Sequence, residues 1–224
     1  MAQHSRALLD PRKTPVQARS TASVDAILEA TIQVLLDVGK ERLTTTRVAL
    51  RAGVSVGTLY QYFPNKSALL QAVLERHLRE VAEVVETVCL EQRGAPLPQM
   101  ATALITAFFK AKMRSMKTSV ALYSVSSDVD GAKIVRQMGG RFLKAVSGML
   151  ESAHEPLATD PWVAASMLQG AMVGVSRSLL ESGFTEKQLD ASRRELIFLA
   201  RAYLNACCAR PSVIKSAGVL RQAR

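Results

Sequence analysis

The chain has 224 residues, 48% hydrophobic and 21% charged, with 29 Lys and Arg against 19 Asp and Glu for a net charge of +10. That content is enough to bury a sizeable core in one or two domains, and it excludes disorder except at the ends. The basic excess suits a polyanionic partner but singles out no segment, since Lys and Arg exceed Asp and Glu by 11 to 7 over residues 1–80 and by 18 to 12 over 81–224.

In chain order, residues 1–21 read as a basic, Pro-containing flexible arm that sets Arg6, Arg12, Lys13 and Arg19 against Asp10. It lacks the apolar segment of a secretory signal, so the expected location is cytoplasmic. A helix is predicted over 23–38, where Val24, Ile27, Leu28, Thr31, Leu35 and Val38 form one apolar stripe. Gly39 should end it.

Residues 44–66 then spell two short helices broken at Gly53, Val54 and Ser55. Thr44 is placed to cap the first, because a hydroxyl accepts one of the backbone N–H bonds that a helix start leaves open. Val48, Ala49 and Ala52 recur at helical spacing, and Gly53 suits a C-terminal residue of positive φ. Ser55 restarts a helix and Pro64 stops it near Phe63. This is a helix-turn-helix, whose second helix is sized for the major groove. Leu59 and Phe63 should face inward over Val54, which leaves Thr58, Tyr60, Gln61 and Tyr62 outward. Tyrosine and threonine hydroxyls donate to phosphates, and a glutamine amide can read a base edge. Lys66 opens the next helix, beside its positive end. The competing reading is an ordinary packed hairpin with a tyrosine-rich face.

Ala52-Gly53-Val54-Ser55 followed by Gly57-Thr58-Leu59-Tyr60-Gln61-Tyr62-Phe63-Pro64-Asn65-Lys66 closely resembles the DNA-binding domain of the TetR family of bacterial transcriptional regulators, over about residues 22–75. The resemblance implies a recognition helix on 56–63, with Thr58, Tyr60, Tyr62 and Lys66 on phosphates and Gln61 and Thr46 toward bases. Thr45, Ser55, Val56 and Gly57 belong to the same implied DNA-binding surface, and Arg12, Lys13 and Arg19 to an arm along the minor groove. Two positions depart from the family pattern. Val56 replaces a polar or basic residue, leaving contact with a thymine methyl open. Arg47 stands where an acid is common, which removes a capping-box partner for Thr44 and adds positive charge near the DNA.

From Lys66 an apolar stripe runs through Leu69, Leu70, Val73, Leu74, His77, Leu78, Val81, Val84, Val85 and Val88. That is too long for a three-helix domain to cover, so this helix should link two domains. His77 reads as a core histidine before a ligand. Beyond Arg93-Gly94-Ala95-Pro96 come helices expected at 98–117, 131–153, 160–181 and 185–208, with a short segment at 119–126. No stretch alternates strictly enough for a sheet, so the fold is expected to be all-α. The expected division is an arm at 1–21, the helix-turn-helix domain at 22–75, an effector-binding and dimerisation domain at 76–210 and a tail at 211–224.

Phe108, Phe109, Met113, Met116, Tyr123, Met138, Phe142, Trp162 and Met167 form a pool of large, adaptable groups, with Gln169 as a polar member. They suit a ligand cavity and an ordinary core alike. Gly139-Gly140 in mid-helix calls for a close crossing or a kink, since each glycine costs ~1 kcal/mol relative to alanine. Residues 161–176 carry no charge and place Gly170, Ala171 and Gly174 where helix backbones can approach closely. A membrane span is the rival reading of that run, which at 16 residues falls short of the ~20 a bilayer needs. The resemblance implies a two-fold four-helix bundle made by the last two long helices, to which Leu196, Leu199 and Tyr203 would also belong.

Cys89, Cys207 and Cys208 show no metal spacing, and His4, His77 and His154 lie apart, so neither a cofactor, a metal nor a catalytic group is expected. The reading is a sequence-specific regulator of double-stranded DNA, a homodimeric repressor released from a palindromic operator by a small-molecule effector, and not an enzyme or a membrane protein. The alternative is a basic helical module that binds proteins or membrane surfaces without operator specificity.

Overall fold

The computed structural model describes residues 18–126, 129 and 131–208, and among them the chain forms nine α-helices and no strand. They are α1 (Ala18–Arg42), α2 (Thr45–Ala52), α3 (Val56–Tyr62), α4 (Lys66–Glu91), α5 (Leu97–Lys112), α6 (Met116–Val125), α7 (Gly131–Glu151), α8 (Pro161–Ser182) and α9 (Glu186–Cys208). Arg12, Lys13 and the tail at 211–224 lie outside the described residues.

Local chemistry accounts for the boundaries. Gly39, at φ 76°, breaks α1 where the sequence predicts, and one further turn follows it. Thr44 caps α2 by accepting from the Arg47 N–H at 3.2 Å. At its other end Gly53 takes φ 68°, its N–H donates to the Leu50 carbonyl, and the Val54 N–H donates to that of Ala49. This paired closure satisfies carbonyls that the helix end would otherwise leave open. Asn65, not anticipated as a cap, accepts from the Ala68 N–H at 2.9 Å and starts α4. The helix expected at 98–117 ends instead at Lys112. The reason is Ser115, whose Oγ accepts from the Thr118 N–H and begins α6, while Ser119 Oγ donates to the Lys112 carbonyl at 2.6 Å. Asp160 caps α8 through the N–H groups of Trp162 and Val163, with Pro161 in the first turn, where its missing donor is harmless.

Packing divides the chain into two compact units. One holds the described residues up to Glu83 with those of Lys110–Gly140 and Leu180–Ser182. Its core is built on Ile27, Leu43, Val48, Leu59, Phe63 and Leu69, and Leu122, Val125, Ile134 and Met138 belong to the same cluster. The cluster therefore draws on α6 and the start of α7 as well as the first four helices. Thr31 is buried within it, its hydroxyl satisfied by the Ile27 carbonyl at 2.7 Å.

The other unit holds Val84–Phe109, Arg141–Leu179 and the described residues from Gly183 on. The Phe108 ring meets Phe109 and Phe142 edge-on at 5.5 and 6.4 Å, a favoured arrangement of aromatic quadrupoles. Arg141 of α7 grips Glu86 of α4 through two parallel bonds of 2.8 and 2.7 Å. On α9 the buried row is Leu196, Ala200, Leu204 and Cys207.

Candidate nucleic-acid interface

The short helix α3 gets its orientation from both ends. Ser55 accepts from the Thr58 N–H at 3.0 Å, and its Oγ lies 2.8 Å from the Thr58 hydroxyl. At the far end the Phe63 N–H closes on the Leu59 carbonyl at 2.9 Å before Pro64. Leu59 is fully buried and Phe63 nearly so, which pins one face to the core. The opposite face presents Val56 (37% exposed), Gly57, Tyr60 (39% exposed) and Gln61. Gly57 is not required by packing, because an added Cβ would meet only Ser55 Oγ at an ordinary 3.7 Å. A bare backbone on the exposed face fits close approach by a partner.

The first turn of α2 joins this face. Thr45 Oγ1 lies 3.0 Å from the Tyr60 hydroxyl, and Thr46 and Arg47 are exposed beside it in the chain. Arg47 has no carboxylate partner among the described residues, whereas Arg51 is tied to Asp37 and Gln33. Arg47 therefore belongs with the cationic groups of the surface. The departure from the family pattern at that position is the sequence signal for it.

Three expectations of exposure need correction, at Tyr62, Lys66 and Thr58. Tyr62, predicted outward, is half-buried and packs against the core cluster. It ends α3 two residues before Pro64, and its ring packs on the apolar surface of the core. Lys66 is also half-buried, and its ammonium donates to the Lys40 carbonyl near the end of α1. One of its three donors is thus committed to a helix C-terminus, where a cation is favoured, and the others stay available. Thr58 is half-buried through its bond to Ser55. Arg19 lies on α1, with its side chain outside the description.

The residues expected to line an effector cavity are spread over both units. Phe108, Phe109, Met113, Met138 and Phe142 are buried, and Met116, Tyr123 and Gln169 are half-buried. Tyr123 donates to the Glu181 carboxylate. Trp162 and Met167 instead stand about half exposed on α8, because Ala164, Ala165, Leu168 and Met172 occupy its covered side.

Among the residues expected at a subunit interface, Gly170, Gly174 and Leu199 are exposed, and Ala171 and Tyr203 are half-buried. Leu196 is a correction: it is buried within its own chain, on the inner row of α9. Phe198, which the sequence reading passed over, is 70% exposed. By length and composition alone α8, at 22 residues, could cross a membrane, yet its other side is packed inside the fold. Burial pushes the Cys89 thiol up to about 12, with the Glu86 charge adding to it, which does not suit a reactive thiolate.

Known proteins share this arrangement. The sequence pattern described as bacterial regulatory proteins, tetR family, matches residues 27–73, and that described as tetracyclin repressor-like, C-terminal domain, matches residues 96–204. The A-factor receptor protein of Streptomyces griseus is 28% identical over 163 residues, 71% of this chain and 55% of that protein. The class C tetracycline repressor protein of Escherichia coli is 46% identical over 54 residues, 24% of this chain and 25% of that protein. The matched stretches thus span from a quarter to a little over half of these relatives' own length. Among solved structures, SmeT, the repressor of the Stenotrophomonas maltophilia multidrug efflux pump SmeDEF, shares the fold at a TM-score of 0.62 and 22% identity, over 92% of this chain and 99% of that one. The transcriptional regulator FadR from Bacillus subtilis, solved in complex with stearoyl-CoA, does so at 0.63 and 18%, over 80% and 97%.

Proposed function

The chain belongs to the TetR family of DNA-binding transcriptional regulators, not enzymes, and from that premise we propose that it is a homodimeric repressor released from a palindromic operator by a small-molecule effector. The observation that carries the reading is the exposed face of α3. Gly57, Tyr60 and Gln61 are exposed on a helix whose two ends are capped and whose inner face is buried. Tyr60, Thr46 and Lys66 are assigned to positioning on phosphates, and Gln61 to base reading.

Self-association is supported by two exposed apolar rows. On α8 these are Val163, Met167, Gly170 and Gly174, spaced to share one side of the helix, and on α9 they are Phe198 and Leu199. A second copy is the natural cover, since two half-sites of a palindrome need two recognition helices. For the effector, the buried aromatic cluster of Phe108, Phe109 and Phe142 within one unit favours a mainly apolar molecule. Relatives of similar fold point the same way, one having been solved with triclosan and one with stearoyl-CoA.

Selection of duplexes from a random pool by the purified full-length chain tests the reading. The expected product is one two-fold symmetric sequence, with half-sites separated by at least about one helical turn, ~34 Å. Equal retention of all duplexes would leave a non-specific DNA binder.

A further inference from the structure

The unit that carries the recognition helix contains a cleft that contact with DNA does not use. It encloses about 360 Å³ between α1, α4 and the link from α5 to α6. Its two sides differ in charge. On one side Arg76 is shared among Asp25, Glu29 and Glu80, at 3.9, 3.4 and 3.9 Å. Those carboxylates are more than half exposed, so water solvates whatever charge Arg76 leaves over.

The other side holds two nitrogen groups without partners, on Arg114 and His77, beside the mutually bonded hydroxyls of Ser115 and Thr118. Arg114 is exposed and has no carboxylate partner among the described residues. His77 Nε2 is buried and makes no hydrogen bond. Ser115 and Thr118 face the cleft at the start of α6, whose N-terminal end adds partial positive charge. Lys112 lies in the same stretch of chain, its ammonium close enough to act on the imidazole. A buried cation or ring nitrogen without a partner is costly, and an exposed carboxylate is not. Ile32, Val73 and Ala111 supply an apolar wall.

We propose that this cleft binds a small organic anion, a carboxylate or phosphate on a short apolar body, with its charge toward His77 and Arg114. The site is separate from the apolar effector cavity proposed above and would give the DNA-binding unit a second input. Burial and the charge of Lys112 push His77 down to about 4, and burial pushes Lys112 down to about 8. A bound anion reverses both directions, so binding near pH 8 takes up protons and weakens as the pH rises. The other charged groups facing the imidazole are Glu29 of α1, Arg76 and Glu80 of α4, and Arg114.

Calorimetry of the full-length protein with benzoate and phenyl phosphate, against benzamide and benzylamine, decides the matter. Expected is saturable binding of at least one anion, about tenfold or more tighter than either counterpart. The tighter of the two anions identifies the ligand as carboxylate or phosphate. Arg114→Gln, a surface change, should weaken that binding by about tenfold with the melting temperature unchanged. Heats measured in buffers of different ionisation enthalpy should report proton uptake near pH 8. The proposal falls if no probe binds saturably up to its solubility limit, if benzamide or benzylamine binds as well, or if Arg114→Gln keeps full affinity.

Discussion

The Tyr60 hydroxyl lies 3.0 Å from Thr45 Oγ1, so the exposed face of α3 and the first residue of α2 are joined by a hydrogen bond. The bond holds the tyrosine ring in place, which would lower the ordering cost of the phosphate contact proposed for the same hydroxyl.

Tyr60→Phe removes that bond and the proposed phosphate contact together. Affinity for operator and random duplex should fall by the same amount, ~0.5–1.5 kcal/mol, because neither contact reads sequence. The salt slope should stay constant, since no charge is lost. Binding isotherms on both duplexes over a salt series check this, and a larger loss on operator would make Tyr60 a base reader.

Lys66 closes on the Lys40 carbonyl and is proposed to meet a phosphate, and Lys66→Ala should show both. Loss of the bond to the Lys40 carbonyl should lower stability by ~1 kcal/mol. Loss of the charge should reduce the salt slope of DNA binding by about one unit. A melt together with a salt series separates them. Lower stability with an unchanged slope would assign Lys66 to closing α1 alone.

Gln61 is exposed on α3 and has no intramolecular hydrogen bond to give up among the described residues. Gln61→Ala should cost ~1–3 kcal/mol of discrimination between operator and random DNA if the amide makes a bidentate base contact. An equal fall on both duplexes would instead show that it positions the helix.

Gly174 offers a clean test of self-association, because a Cβ built there meets nothing within 4 Å in the chain itself. Gly174→Leu should leave each subunit folded, with its helix content kept, yet force partner helices apart and yield a monomer with weakened operator binding. Sedimentation together with circular dichroism reads both. A dimer that persists would place the interface elsewhere.

The pH dependence follows from His77, held at about 4 in the folded protein against an ordinary 6.5. Between those values the unfolded chain binds more protons than the folded one, so stability is lost as the pH falls from 6.5 toward 4. His77→Leu removes this titration and an unpaired buried nitrogen of similar volume. Its melting temperature should match or exceed that of the wild type at neutral pH and fall less steeply on acidification. Parallel acid profiles for the two proteins would take His77 out of the response.

Thr44, Gly53, Ser55 and Pro64 were legible in the sequence because each acts within a few residues, through a backbone N–H, a positive φ or a missing donor. The buried positions of α3 followed from helical spacing in the same way, and so did the all-α class. Tertiary structure decided what spacing cannot. Tyr62 and Tyr60 lie two apart on one helix, and only the surrounding core turns the first inward and leaves the second out. On α9 residues 196–200 form an unbroken apolar run, so periodicity alone could not choose between Leu196 and Phe198 as the covered side. Residues distant in the chain made that choice, burying Leu196 and leaving Phe198 in solvent. The cleft beside His77 belongs to the same class, since α1, α4 and the α5–α6 link meet there only after folding has brought them together.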